Sequence, residues 1–185
     1  VRWAGRDFAM VTVLAALGLR AAELCSIDLD WITQDLLNDN NHQVLRVLGK
    51  GAKVRRLPLS KELLEVLNRW MKVRSERFGN PMADDPLFVT KDGERFNYRR
   101  LRYWLLTLNR AAGLRDRSLH SLRHTAGVQW AANGVPMNEI QSLLGHASIN
   151  TTGIYTEVAA RGLIDAVKAS EANRLIVETL REMDK

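Results

Sequence analysis

The residues best suited to chemistry lie in the second half of the chain, where arginine, histidine and tyrosine occur close together. Three of the four histidines fall within 27 residues, with Arg123 between His120 and His124, and Tyr155 nine residues after His146. Guanidinium groups donate paired hydrogen bonds to phosphate oxygens. Each preorganised donor of this kind raises the reaction rate by a factor of about 10²–10³. The set therefore suits attack on a phosphodiester, with tyrosine as the candidate nucleophile.

A tyrosine nucleophile needs help from its neighbours. The phenol has a pKa of about 10, so ionising it beforehand at neutral pH costs about 4 kcal/mol. A nearby base, or cations that stabilise the phenolate, must supply that energy. The departing alkoxide also needs a proton, which a lysine can deliver.

Other kinds of catalytic site fit the sequence poorly. His120 and His124 share one helix face, but the zinc motif H-E-x-x-H needs Glu where this chain has Ser121. No cysteine or carboxylate stands nearby to complete a metal site. The stretch 49–51 lacks the glycine spacing of a phosphate-binding P-loop, and no G-x-S-x-G motif occurs. We therefore expect no metal and no cofactor.

Hydrophobic periodicity predicts the elements that position these residues. Two strand-like stretches flank a Gly-containing connection and indicate a β-hairpin with Lys50 at or near its tip. The fold class predicted is α+β, mainly α, with a small antiparallel sheet. The predicted strands are 43–49, 54–60 and 87–90, and the predicted helices are 5–17, 21–26, 61–78, 98–112, 120–133, 137–144, 149–157 and a tail of one or two helices over 158–185.

Basic residues are concentrated in two segments. Residues 46–61 contain six basic side chains and no acidic one, and residues 95–117 contain seven basic and one acidic. The whole chain carries only +6, so the remaining residues are net acidic. A basic surface on an otherwise acidic protein is typical of a polyanion-binding protein. The alternative is two solvated faces with no ligand.

Composition excludes several classes of protein. Hydrophobic residues make up 46% and charged residues 26% of the 185 positions, which is an ordinary globular balance. A single cysteine rules out an internal disulfide framework. The longest nearly apolar run, residues 8–19, is shorter than the ~20 residues of a membrane span, so no membrane partner is expected.

Five segments together resemble the tyrosine recombinase (phage integrase) family. They occur in the family's order between residues 18 and 156. The segments are GLRAAEL at 18–24, LGKGAK at 48–53 with LPL at 57–59, HSLRHTA at 120–126, LLGH at 143–146 and TTGIYT at 151–156. The resemblance implies the family's catalytic fold and a metal-independent DNA breaking and rejoining activity.

The resemblance also implies roles for single residues. Arg20 and Arg123 would clamp the scissile phosphate. His120 would hydrogen-bond that phosphate and accept the tyrosine proton, and His146 would donate to a non-bridging oxygen. Glu23 would orient an arginine.

The remaining roles fall on the hairpin and on the last motif. Lys50 would be the general acid for the departing 5′-oxygen, a role for which Lys53 is the alternative. Tyr155 would form a 3′-phosphotyrosyl link that stores the energy of the broken bond, so that resealing needs no cofactor. His124 is a supporting residue, more structural than catalytic. Contacts to the DNA backbone are expected from Lys53, Arg55, Arg56, Arg99, Arg100 and Arg102.

The resulting interpretation is a site-specific recombinase or integrase in which residues 1–185 form one catalytic domain, without the family's N-terminal core-binding domain. Its expected partners are double-stranded DNA and further copies of itself in a tetrameric synapse joined by the tail. Its expected location is the cytoplasm, in association with the nucleoid. The alternatives are a type IB topoisomerase-like enzyme, an inactive DNA-binding regulator with this fold, and a metal-dependent nuclease.

Overall fold

Seven helices and a small sheet make up the part of the chain described by the computed structural model, which covers residues 3–34, 42–49, 54–114, 117–145 and 171–183. The helices are α1 (Ala4–Leu17), α2 (Ala21–Ser26), α3 (Lys61–Phe78), α4 (Tyr98–Ala111), α5 (Leu119–Ala132), α6 (Met137–Leu144) and α7 (Glu171–Met183). The strands are β1 (Ile32–Gln34), β2 (Gln43–Leu48) and β3 (Val54–Pro58), with a 3-10 turn at Leu29–Trp31.

Side-chain caps determine where three helices begin. The side-chain oxygens of Ser60, Asn97 and Ser118 accept hydrogen bonds from the first-turn amides of α3, α4 and α5. These bonds satisfy amide groups that have no partner inside the helix. Helices α1 and α6 instead end at Gly18 and Gly145, both in the left-handed conformation that favours glycine.

The three strands form an antiparallel sheet in the order β1-β2-β3. Arg46 in β2 lies opposite Arg56 in β3. Along β3, Val54 and Arg56 are exposed while Arg55 and Leu57 are buried. Because successive strand residues point to opposite faces, Arg55 shares the core-facing side of the sheet with Leu57.

Helix α1 lies at the centre of the core. Its buried residues, among them Met10, Val13 and Leu14, are almost completely inaccessible, and α3 and α5 pack against it. Helix α7 packs on α1 and α3 through Ile176 and Leu180. No helix within the described residues is both long and apolar enough to cross a membrane.

The sequence-based fold prediction is confirmed for most elements. The helices predicted at 21–26, 61–78 and 137–144 have the observed bounds, and those predicted at 5–17, 98–112 and 120–133 differ by one residue at one or both ends. The predicted helix 149–157 and the first part of the tail lie outside the described residues.

The strand predicted at 87–90 is wrong. Leu87 N donates to Ile27 O at 2.9 Å and Thr90 N donates to Glu94 O at 2.8 Å, so the segment changes partner within four residues and makes only isolated bridges. The short strand β1 was not predicted, because three residues are too few to show an alternating pattern.

Candidate active site

Four charged side chains from three elements meet beside the C-terminal end of α6. Arg20 immediately precedes α2, Glu23 lies in α2, Arg55 comes from β3 and Arg123 from α5. Their meeting brings together residues up to about a hundred positions apart in sequence. We refer to Arg20, Glu23, Arg55 and Arg123 as the arginine cluster.

Glu23 is the centre of the arginine cluster. Its Oε1 accepts from Arg20 Nη1 at 2.9 Å and from Arg55 Nη1 at 2.7 Å. Its Oε2 accepts from the Arg20 backbone amide at 2.6 Å and from Arg55 Nη2 at 2.7 Å. The carboxylate therefore fixes both the backbone and the side chain of Arg20.

Arg123 connects the ends of two helices. It donates to Gly18 O at 2.7 Å and also to Leu144 O, and its Nη1 lies 3.9 Å from Glu23 Oε2. Burial lowers the pKa of Arg123 to about 10, with the positive charges of Arg20 and Arg55 adding to the effect and Glu23 opposing it. Arg123 is therefore still charged at neutral pH.

Gly145 allows the arginines to approach the end of α6. Arg20 Nη2 donates to Gly145 O at 2.8 Å. The residue has a φ of 67°, and a Cβ atom built there would lie 3.3 Å from the Nη1 atoms of both Arg20 and Arg55. Glycine thus satisfies a backbone requirement and a space requirement at once.

The arginine cluster has an excess of positive charge. Burial by itself would raise the pKa of Glu23, but hydrogen bonds from Arg55 and Arg20, together with the positive charge of Arg55, outweigh it and hold the pKa below its ordinary value. Three guanidinium groups then face one carboxylate, which leaves two positive charges uncompensated within the cluster. Because the Arg20 side chain is 39% exposed whereas the other two are each 9% exposed, an anion can reach the cluster at Arg20. The arrangement suits binding of a phosphate.

Of the other residues predicted to act in catalysis or to support it, the structure describes only His120 and His124. His120 is exposed in the first turn of α5, three residues before Arg123, and His124 is exposed on the same helix. Lys50, His146 and Tyr155 lie outside the described residues.

The predicted DNA contacts fall into two groups. Arg99, Arg100 and Arg102 are exposed on α4, where Arg100 pairs with Glu94. We refer to these three as the α4 basic face. Arg56 is exposed on β3, and Lys53 lies outside the described residues.

Arg55, which the sequence predicts as a DNA contact, is buried in the structure. Its side chain is only 9% exposed, and both of its Nη atoms bind Glu23. The alternation of the hairpin contained the signal, since the apolar Leu57 and Leu59 stand two and four residues later. The importance of Gly145 was also missed, because the atoms it approaches belong to residues distant in sequence.

Metal ligands do not cluster in the part of the chain that the structure describes. Within those residues, no group of three His, Cys, Asp or Glu side chains is arranged to hold an ion.

Comparison with known proteins relates this geometry to a family. The chain is 40% identical to tyrosine recombinase XerC of Corynebacterium glutamicum over 161 residues, which is 87% of this chain and 49% of the relative. It therefore spans about half the length of the curated relatives it matches.

Solved structures resemble the fold. The XerA recombinase crystal structure matches with a TM-score of 0.65 at 26% identity, over 96% of this chain and 58% of that one. The XerH site-specific recombinase bound to palindromic difH substrate, a post-cleavage complex, matches with a TM-score of 0.63 at 26% identity, over 89% of this chain and 46% of that one.

The family profile covers most of the chain. The phage integrase family matches residues 4–161, a span that contains every member of the arginine cluster and all five sequence motifs. The chain belongs to the phage integrase family.

Proposed function

We propose that the chain is the catalytic domain of a site-specific DNA recombinase that cleaves and rejoins DNA strands through a 3′-phosphotyrosyl intermediate. The observation that carries the proposal is the arginine cluster. It has two uncompensated positive charges and a partly exposed arginine, Arg20, within a chain that carries the family's motifs.

In this reaction the cluster binds the scissile phosphate. Arg20 and Arg123 donate to its non-bridging oxygens, where negative charge grows in the transition state. Glu23 orients Arg20. His120, at the start of the helix that carries Arg123, hydrogen-bonds the phosphate and accepts the tyrosine proton.

The bonds made and broken balance without a cofactor. The Tyr155 phenolic oxygen forms a bond to phosphorus, the bond to the 5′-oxygen breaks, and Lys50 gives that oxygen a proton. His146 donates to a non-bridging oxygen. Attack by a 5′-hydroxyl on the phosphotyrosyl link reverses the step and reseals the strand. These three roles rest on the motif positions in the sequence.

Double-stranded DNA is the proposed partner. The XerH structure that resembles this chain is a complex with a difH substrate. The α4 basic face, together with Arg56 and Lys53, would contact the phosphate backbone, which contributes affinity without sequence information. We place the protein in the cytoplasm, associated with the nucleoid.

Assembly on DNA is the last part of the proposal. We infer a tetrameric synapse in which the tail of one copy docks on the next. In the structure α7 packs on α1 and α3 of its own chain, and Ser60 Oγ donates to Asn173 Oδ1 at 3.2 Å. Docking of α7 on a neighbour would therefore require release of these contacts.

The test is covalent trapping. The protein is incubated in EDTA with a library of nicked duplexes made from fragmented genomic DNA, quenched in SDS and analysed for a protein–DNA adduct. We expect an adduct at Tyr155 that Tyr155→Phe abolishes. DNA binding by the full-length protein without an adduct would favour the inactive regulator, and supercoil relaxation by a monomer would favour the topoisomerase.

A further inference from the structure

Arg55 lies where a charged residue is expensive to bury. Its side chain is 9% exposed on the core-facing side of β3, yet its two terminal nitrogens are both bound by a carboxylate 32 residues away in sequence. A bidentate arginine–carboxylate pair fixes the relative orientation of both groups. The pair thus joins β3 to α2.

The pair also saturates Glu23. A carboxylate offers about four acceptor sites, and the four hydrogen bonds from Arg55 Nη1, Arg55 Nη2, Arg20 Nη1 and the Arg20 amide fill them. Arg123, whose Nη1 is 3.9 Å from Glu23, is then left to bind backbone carbonyls. Without Arg55, two acceptor sites on Glu23 would open beside Arg20 and Arg123.

We propose that Arg55 is a positioning residue for the reaction. By occupying two of the four acceptor sites of the Glu23 carboxylate, it fixes the Arg20 guanidinium in the orientation that binds phosphate. It also leaves Arg123 at ion-pair distance from Glu23, 3.9 Å, rather than in a hydrogen bond with it. This inference deepens the proposed function and rests on it for the reaction.

The position of Arg55 in the chain adds a second consequence. Arg55 is the second residue of β3, and Lys50 precedes it by five residues in the connection of the hairpin. The Arg55–Glu23 pair therefore ties the end of β3 nearest the hairpin connection to the phosphate-binding arginines. The carboxylate that orients Arg20 thus also anchors the strand that follows Lys50 in sequence.

The first experiment is a double-mutant cycle on the rate of adduct formation. We compare Arg55→Met, Glu23→Gln and the double variant, and measure the Kd for duplex DNA separately. Arg55→Met should slow cleavage about 10- to 100-fold, as expected for a misplaced catalytic group, with Kd changed less than about threefold. Because Arg55 acts through Glu23, the double variant should be no slower than the slower single variant.

Arg74 provides the matched control. It is a buried arginine of α3 with a side chain 5% exposed, bound to Pro86 O and paired with Asp85. Arg74→Met should lower the melting temperature about as much as Arg55→Met but leave the cleavage rate unchanged well below that temperature. Arg55→Lys, which keeps the charge and one hydrogen bond, should restore part of the rate and covers the case in which Arg55→Met does not fold.

Three outcomes of these kinetic and binding measurements would overturn the proposal. The rate losses of Arg55→Met and Glu23→Gln multiply in the double variant. Alternatively, Kd rises while the cleavage rate holds, which would make Arg55 a DNA contact. Equal rate loss in Arg74→Met would make the effect of Arg55 purely structural.

A second readout does not depend on activity. In nitrogen-15 spectra of the arginine side chains, the Nη signals of Arg20 should be distinct in the unmodified protein, because Glu23 and Gly145 restrict its rotation. They should merge in Arg55→Met and stay distinct in Arg74→Met. Absence of any adduct from the unmodified protein would count against the proposed function alone, and unchanged Arg20 signals in Arg55→Met would refute the positioning role.

Discussion

The arginine cluster and the α4 basic face use the same side chain in opposite ways. In the cluster, Arg55 and Arg123 are buried, and their hydrogen bonds go to a carboxylate or to a backbone carbonyl. On α4, Arg99 and Arg102 are exposed, and Arg100 forms an ion pair with the exposed Glu94. The arginine cluster holds its charges in fixed orientations, whereas the α4 basic face exposes its charges to solvent.

The difference follows from solvation. Charges near a protein surface interact through a high effective dielectric and are screened by salt over about 8 Å at physiological ionic strength. Buried charges are screened much less, and fixed donors need no reorganisation when negative charge develops. Substitutions in the cluster should therefore affect the rate of reaction, whereas substitutions on α4 should affect affinity and its dependence on salt.

The largest effect is expected at Arg123. Arg123→Lys removes one of the directed donors and breaks the link between Gly18 O and Leu144 O. We expect the cleavage rate to fall about 10²–10³-fold, measured as single-turnover adduct formation at saturating DNA. Arg102→Lys is the matched change on α4 and should leave that rate unaltered. A similar loss in both variants would remove the distinction between the two regions.

The second largest effect is expected for Gly145→Ala. Left-handed backbone costs about 1–2 kcal/mol for an ordinary residue, and the new Cβ would also press on Arg20 and Arg55. Gly134→Ala is the control, since Gly134 has a φ of 82° with nothing within 4 Å of a built Cβ. Urea unfolding should show a lower free energy of unfolding in both variants, with the larger decrease in Gly145→Ala. Only Gly145→Ala should slow cleavage.

Acid should weaken the cluster through Glu23. The pKa of Glu23 is lowered in the folded protein, so its contribution to stability is present above the unfolded value of 4.5 and is lost as the pH falls through the lower folded value. The difference in the free energy of unfolding between the unmodified protein and Glu23→Gln should thus shrink as the pH is reduced from 7 to below 4. A constant difference would mean that Glu23 has the same pKa in the folded and unfolded states, and a difference that grew on acidification would mean that folding raises its pKa.

The smallest effects are expected on α4. Arg99→Ala or Arg102→Ala should weaken DNA binding a few-fold for all sequences alike and reduce the slope of log K against log salt by about 1. Arg100→Ala should do less, because Glu94 already offsets its charge. Lys72→Ala, on the exposed side of α3, is the control and should leave the slope unchanged. A change in cleavage rate at saturating DNA would mean that the α4 residues take part in the reaction rather than only in DNA binding.

Local patterns were enough to predict most elements. Helix α3 was predicted with its observed bounds because Ser60, the apolar stripe and Gly79 mark its start, face and end. The two strands of the hairpin begin where they were predicted and end one and two residues earlier. The segment 87–90 failed because its partners, Ile27 and Glu94, belong to different parts of the chain. Strand pairing of that kind has no local signal.

Five short motifs in a set order identify the family and its candidate residues without knowledge of the fold. The contacts and burial of each arginine depend instead on how distant segments pack together. Arg55 and Arg56 are neighbours in sequence and identical in type, but one pairs with Glu23 in the interior while the other is exposed. A buried charge requires a partner, and whether a partner is present depends on which distant segment packs against it.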